Sequence, residues 1–463
     1  MREDFIQSLN EELGADVLFG ADIPARFRND WAGLEPVTPL ALVRPRTTEQ
    51  ISATLRLCDR FKISVVPQGG LTGLAGGARP IEGGVALSLD RMNGIDEIDP
   101  VMATMTVQAG TPLGVIQRAA EEAGLFFGLD LGASDSCVIG GNLSTNAGGN
   151  RVIRFGMARE HVLGLEVVLP DGTIVRSLNK MLKNNAGYDL KQLFIGSEGT
   201  LGIITRAVLR LQAKPAALAS ALCGCSGFPA MLELLKSARL RMGSALIAFE
   251  VMWPSFYDFM TGNLPELRRA LSEPHGIYVL IEAGGRDADE NRTMLEHILS
   301  DALEEGWVSD AVLSSSEREA RELWAVRDSV SEYGRLMGPQ TAFDVGLPTS
   351  VAGSVVSEIE AAMKNRWPDA IALSYGHIGD SNLHFVCNIP SLGNSQPHKE
   401  ITELVFTAVG RAGGTISAEH GIGLLKKPYL KLSRTPEELA LMERIKRAID
   451  PNNILNTGKV LTI

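Results

Sequence analysis

The sequence predicts an α+β protein built in two parts, and three observations carry that prediction. Its 463 residues exceed what one hydrophobic core holds, so two or three domains are expected. Up to residue 214, apolar runs alternate with helical patterns and are interrupted by three glycine-rich loops. Around Pro215 the texture changes. From Ala216 to about Asn365 glycine thins, helical patterns lengthen, and strand-like runs alternate with them.

Taken in order, Phe5, Leu9 and Leu13 recur at helical spacing, as do Ile51, Leu55 and Cys58, while Pro39 and Pro45 favour extended chain between them. Ile63–Val66 reads as a short buried strand and leads into Pro67-Gln68-Gly69-Gly70-Leu71-Thr72-Gly73-Leu74-Ala75-Gly76-Gly77, where five of eleven residues are glycine. Glycine takes positive φ cheaply and lets a ligand approach the bare backbone. Successive free N–H groups in such a loop form a nest for anions, and a strand's end is a usual place for phosphates. A surface turn is the plainer reading of any glycine cluster. Leu71, Thr72 and Leu74 favour an ordered loop instead. The spacing from Gly70 through Gly73 to Gly76 matches neither the G-x-G-x-x-G dinucleotide fingerprint nor G-x-x-x-x-G-K-[ST], which disfavours both a Rossmann NAD site and a P-loop.

Val85–Leu89 and Met105–Val107 read as strands, and Thr111 is expected to cap a helix running through Ala123. A second glycine-rich stretch starts at Leu131 and carries Ser136, Gly140, Asn142, Asn146 and Gly148. So many small groups suit close approach to a planar or polyphosphate ligand, and Val138, Ile139 and Leu143 are wrong for a solvated linker. Asp171-Gly172 marks a hairpin between Val162–Leu169 and Thr173–Val175. A third loop, Gly196–Gly202, leads into the strand Ile203–Leu211. Three such loops fit a large cofactor better than a mononucleotide.

In the second part, Ile247–Val251 and Ile277–Glu282 read as strands, Ala288–Leu303 and Ser316–Leu336 as helices. Arg327 and Ser331 stand four apart, on one face of the last helix. They suit a carboxylate clamp. Spacing alone favours the plainer ion pair of Arg327 with Glu322 or Asp328. Three of the seven histidines lie in Gly376-His377-Ile378-Gly379-Asp380-Ser381-Asn382-Leu383-His384 and Ala418-Glu419-His420-Gly421. On one continuous strand His377 and His384 would stand roughly 23 Å apart, on opposite faces. The turn-forming Gly379–Asn382 allows the chain to fold back and the imidazoles to converge. Two imidazoles and a carboxylate with an open position form a known catalytic zinc set. The alternative is a packed histidine and a surface Glu419; the set taken together favours function.

Net charge is −11, from 44 basic and 55 acidic residues, which disfavours nucleic acid as a partner but leaves a small anionic substrate open. The five cysteines are scattered, and Cys223-Gly224-Cys225 is too close for a metal knuckle, so reduced thiols are expected. The N-terminus is acidic and amphipathic rather than signal-like, and no apolar run reaches membrane-spanning length. The expected compartment is the cytoplasm.

Together, PQGGLTGLAGG, DLGASDSCVIGGNLSTNAGGNRVIRFG and NNAGYDLKQLFIGSEGTLGIIT resemble the FAD-binding domain of the vanillyl-alcohol oxidase and p-cresol methylhydroxylase (PCMH) superfamily. GHIGDSNLH, SAEHGIG and DPNNILNTGKV resemble its D-2-hydroxyacid dehydrogenase branch, which includes D-2-hydroxyglutarate and D-lactate dehydrogenases and the glycolate oxidase flavin subunit. The resemblance implies a PCMH-type FAD-binding domain over 1–214, a ferredoxin-like α+β substrate or cap domain over 215–430, and a segment, 431–463, returning to the flavin domain. It implies that backbone groups of Gly69, Gly70, Leu71, Thr72 and Gly73 hold the FAD pyrophosphate, with Pro67 and Gln68 beside them in the cofactor site. Ser136, Gly140, Asn142, Asn146 and Gly148 would line the flavin, with Glu198, Gly199, Ile203 and Asn456 nearby. Leu71 stands where relatives with covalent flavin carry histidine, so non-covalent FAD is expected; Cys137 is expected to be a buried thiol.

On the cap side the resemblance makes His377, His384 and Glu419 ligands of a divalent metal, usually zinc, and His420 the general base. Arg327 would meet the substrate carboxylate, and Ser331, one turn on by spacing, is the catalytic candidate beside it. The implied reaction passes the α-hydride of a D-2-hydroxy acid to flavin and leaves a 2-oxo acid. The implied partners are that acid, an electron acceptor such as an electron-transfer flavoprotein or quinone, and a second copy if the chain forms a homodimer. Two departures from the hydroxyglutarate pattern, Ala342 for lysine and Val386 for asparagine, leave D-lactate or an apolar D-2-hydroxy acid comparably open. A metal-independent flavin oxidase and a flavin-binding electron-transfer subunit are the competing readings.

Overall fold

The computed structural model describes residues 2–463. The chain packs into two units, one formed by the chain up to Gly149 with Gly156–Lys214 and Glu419–Ile463, the other by Asn150–Phe155 and Pro215–Ala418. The sequence suggested the return from residue 431; by packing it begins at Glu419.

The first unit holds two sheets. One contains β1 (Val17–Phe19), β2 (Ala41–Val43), β3 (Val65–Gln68) and β4 (Val85–Ser88) in the order β1-β2-β4-β3. β4 runs parallel to both β2 and β3. Parallel strands are covered on both faces, so Ala41-Leu42-Val43 and Val85-Ala86-Leu87 are buried throughout, without alternation. β3 extends two residues past the predicted strand. It lies at the end of the strand order, where Pro67 costs no ladder bond.

The other sheet contains β5 (Ile95–Asp99), β6 (Thr104–Gln108), β7 (Val162–Val168), β8 (Ile174–Ser177) and β9 (Ile203–Arg210), antiparallel in the order β5-β6-β9-β7-β8. Asp171-Gly172 turns β7 into β8, with Gly172 at φ +83°. The predicted helical repeats hold. Phe5, Leu9 and Leu13 are buried on Arg2–Leu13, as are Ile51, Leu55 and Cys58 on Thr48–Phe61. Thr111 is not a cap. The helix Leu113–Glu122 starts after Pro112 without a side-chain cap, and the buried Thr111 hydroxyl donates to Gly94 O and accepts from Gly94 N–H.

Two buried lysines pin the C-terminal return. Lys446 Nζ donates to Thr200 O (2.8 Å), Leu455 O (2.9 Å) and the Asp450 carboxylate. Lys459 Nζ donates to Gly77 O (2.7 Å) and Arg79 O (2.6 Å). Burial pulls the Lys459 pKa down to about 7 against the opposing charges of Asp30 and Glu198.

His161, 1% exposed, lies edge-on to Phe127. Burial pulls its pKa from 6.5 to about 4. The unfolded chain therefore binds a proton at a pH where the folded chain does not. The stability from keeping His161 neutral is complete above about 6.5 and declines as pH falls toward 4, by roughly 3 kcal/mol. His161→Phe should flatten that part of the stability profile in urea titrations. Equal slopes in both proteins between pH 6.5 and 4 would contradict this.

The second unit is one antiparallel sheet of seven strands: β10 (Ala217–Cys225), β11 (Leu246–Met252), β12 (Ile277–Gly285), β13 (Val308–Leu313), β14 (Thr341–Gly346), β15 (Ile371–Gly376) and β16 (Asn382–Asn388). Their order is β13-β10-β12-β11-β15-β16-β14. The single helix expected over Ser316–Leu336 is broken into Glu317–Asp328, a 3-10 turn Ser329–Glu332 and a short helix Tyr333–Met337. At the break the Ser329 hydroxyl donates back to Val326 O (2.7 Å), competing with the backbone ladder. Arg327, at the end of the first piece, is buried; Ser331, in the turn, is exposed.

Candidate active site

In the second unit the register gathers one face. His384 on β16 stands opposite Asp344 on β14 and Tyr375 on β15, and Tyr375 stands opposite Met252 on β11. Cross-strand partners project to the same side, so these residues share a surface with Glu250, two positions before Met252. The 3-10 turn Ile378–Asp380 folds the chain back, and the rings of His377 and His384 meet edge-to-face at 5.3 Å. Asp344 accepts from Asn382 Nδ2 at the start of β16 and from the N–H of Ala418 (3.2 Å). Glu419 is the next residue in the chain.

Arg327 is neither exposed nor paired with Glu322 or Asp328. Its Nε donates to Glu250 Oε2 at 2.8 Å, and its guanidinium lies 4.7 Å from the Tyr375 ring centroid. His377 Nδ1 is 2.7 Å from Glu250 Oε1, and its Nε2 faces Arg327 Nη2 at 3.3 Å. Arginine cannot accept, so this assigns the proton to Nδ1 and turns the Nε2 lone pair outward from Glu250. Burial alone would push the Glu250 carboxyl up. The adjacent His377 and Arg327 outweigh it and hold the carboxyl below its ordinary range. Ser331 does not join this cluster, and Arg335 pairs with Glu332 on the surface. Glu250 is the residue that sequence reasoning missed. Its signal was a lone carboxylate in the apolar run Ile247-Ala248-Phe249-Glu250-Val251-Met252.

In the first unit the glycine-rich loops enclose a cavity of about 360 Å³. All of Pro67–Gly73 line it, as do Gly140, Asn142 and Gly148 from the second loop. Glu198, Gly199, Ile203 and Asn456 complete that set, and Glu419 and His420 face the same space. Two expected residues do not line it. Ser136 is exposed, and Asn146 is the left-handed C-cap of the helix Ile139–Thr145, its Oδ1 accepting from Arg159 N–H. The first loop lies so close to the second that a Cβ on Gly70 would fall 2.1 Å from Ser136 O. Cys137 is a buried thiol, its pKa raised by that burial.

The cavity wall fits a flavin. Gln68 Nε2 is spent on Phe27 O and Ala78 O, and Asn456 Nδ2 on Gly77 O and Glu198 O. This leaves Gln68 Oε1 and Asn456 Oδ1, with Asn142 Oδ1, buried and unsatisfied on the wall. Three such acceptors need N–H or O–H donors, which the isoalloxazine ring and ribityl chain possess.

Family comparison agrees. The FAD binding domain family matches residues 39–177, and FAD linked oxidases, C-terminal domain, matches 214–460. D-2-hydroxyglutarate dehydrogenase of Xanthomonas citri pv. viticola is 38% identical over 94% of this chain and 92% of its own. The chain belongs to the FAD-linked oxidases, in the branch that holds the D-2-hydroxyglutarate dehydrogenases. Mitochondrial D-2-hydroxyglutarate dehydrogenase of Bos taurus is 39% identical over 93% of this chain and 78% of its own. A crystal structure of p-cresol methylhydroxylase with substrate bound superimposes with a TM-score of 0.78 at 19% identity, over 99% of this chain and 96% of that one. At that identity the likeness concerns the fold. As a member of this branch the protein is an FAD-linked oxidoreductase acting on CH–OH.

Proposed function

We propose that the chain oxidises a D-2-hydroxy acid to the 2-oxo acid with a divalent metal, zinc in the first instance, held by His377, His384 and Glu419. The observation that carries this reading is the buried Arg327–Glu250–His377 chain beside His384. A histidine whose Nδ1 proton is held by a carboxylate can offer its other nitrogen to a metal; that nitrogen of His377 now faces Arg327 Nη2 at 3.3 Å, and would pass to the metal as Arg327 turns to the substrate. Bound FAD would accept the α-hydrogen as hydride, and the metal would act as a Lewis acid on the α-hydroxyl. The residues do the rest. Arg327 takes the substrate carboxylate in a two-point contact, His420 accepts the hydroxyl proton, and Glu250 keeps Arg327 and His377 oriented. Ser331, exposed in its turn, has no part. The electrons leave to an electron-transfer flavoprotein or a quinone.

Two substrate side chains are in play. The relatives named above favour D-2-hydroxyglutarate. Ala342 and Val386, which replace the lysine and asparagine of that pattern, are direct cross-strand partners, with Leu373 opposite Val386 on the other side. That apolar row favours D-lactate or a longer apolar acid. Anaerobic bleaching of the bound flavin by D- and L-2-hydroxy acids decides between them, with zinc content and chelator sensitivity measured on the same preparation. The expected result is bleaching by D-acids alone and loss of rate with chelator. No bleaching by any acid would leave an electron-transfer subunit; full activity without metal would leave a metal-independent enzyme.

A further inference from the structure

The turn after His420 is clamped by a side chain far away in the sequence. Glu198 Oε1 accepts the N–H of Ile422 at 2.7 Å and Oε2 accepts that of Gly423 at 2.9 Å. Both oxygens therefore grip adjacent backbone donors of the Glu419–Gly423 turn. The space is tight on both sides. A Cβ on Gly421 (φ +77°) would fall 2.9 Å from the Glu198 carboxyl, and one on Gly423 (φ +50°) would fall 2.2 Å from Ala75 O. Glu198 is itself held in place. Its N–H donates to Ser144 O (2.8 Å) and its carbonyl accepts from Asn456 Nδ2 (2.6 Å).

Glu198 also has φ +52°, between Gly196 (+80°) and Gly199 (+69°). Glycine would occupy that backbone at less cost, so a glutamate there implies work for its side chain.

The geometry points to Glu198 as a positioning residue: its carboxylate fixes the turn that aims Glu419 and His420 into the flavin cavity. This rests on the proposed role of His420 as base. Displacing a base by about 1 Å can cost on the order of 100-fold in rate. Glu198→Gln keeps the size of the side chain but turns an amide N–H toward one of the two donors. It should retain one equivalent of FAD and the wild-type melting temperature, bind zinc more weakly in chelator competition, and show flavin reduction by D-lactate or D-2-hydroxyglutarate slowed about 10- to 100-fold. The pH midpoint of the reduction rate should move as well, which loss of packing alone would not produce.

Wild-type reduction rate and pH midpoint in Glu198→Gln would overturn the inference. So would loss of FAD and thermal stability in proportion to the rate. If Glu198→Gln does not fold, Gly421→Ala pushes the same turn away from the Glu198 carboxyl. An unchanged reduction rate there also overturns the inference. His420→Ala run in parallel separates the two ideas. Fast reduction in that variant removes the base role itself, whereas slow His420→Ala beside fast Glu198→Gln removes only the positioning role.

Discussion

His420→Ala is expected to bind FAD with unchanged stoichiometry and to be reduced by its D-2-hydroxy acid about 100- to 10,000-fold more slowly than wild type. The FAD part follows from where affinity resides. The cavity is walled mainly by the glycine-rich loops and by the carbonyls of Gln68, Asn142 and Asn456, which this substitution leaves alone. The rate part follows from proton accounting. A hydride cannot leave the α-carbon unless the hydroxyl proton departs too, and imidazole is the side chain suited to accept it near neutral pH. Rapid-mixing absorbance of the flavin under anaerobic conditions reads the step directly. Wild-type reduction in this variant would remove His420 as base. Loss of FAD instead would make it a cofactor-holding residue.

Glu250→Ala should cost more in stability than any surface change, about 3–5 kcal/mol, because it leaves a buried guanidinium without its carboxylate. Arg327 is 4% exposed and its Nε partner is Glu250. The variant should also lose substrate reduction, because His377 loses the acceptor for its Nδ1 proton and Arg327 loses its orientation. Glu250→Gln is informative beside it. It fills the same space and still offers one oxygen, so most of the stability should return. One neutral amide cannot serve two donors as the carboxylate does, so activity should stay low. Denaturant midpoints and flavin reduction rates on both variants test this. A stability loss near zero in Glu250→Ala would mean that Arg327 finds water or another partner once released.

Local features were legible from sequence. The glycine loops, the Asp171-Gly172 hairpin and the helical repeats of Phe5, Leu9 and Leu13 depend on backbone freedom or periodicity within a few residues, and the structure retains them. Thr111 and Ser331 misled for a common reason. Their side chains looked committed to a nearby helix, but the buried Thr111 hydroxyl turned to Gly94, and Ser329 broke the helix that would have carried Ser331. The buried carboxylates left a trace that went unused. Glu166, Glu250 and Glu282 each stand alone in an apolar strand, and each proves to be paired: Glu166 with Arg206, Glu250 with Arg327, Glu282 with Arg151. A strand that buries a charge must supply a partner, but sequence alone could not say which arginine.

By itself, the sequence determined the kind of cofactor and the family, because glycine spacing and the order of motifs record contacts made by neighbouring backbone groups. It also marked His377 and His384, since a turn between them was enough to bring them together. Only the tertiary structure decided what holds the chemistry in place. Arg327 meets Glu250 across 77 residues, and Glu198 grips Ile422 across 224. Pairings over such separations follow from strand order and chain return, which no local pattern encodes.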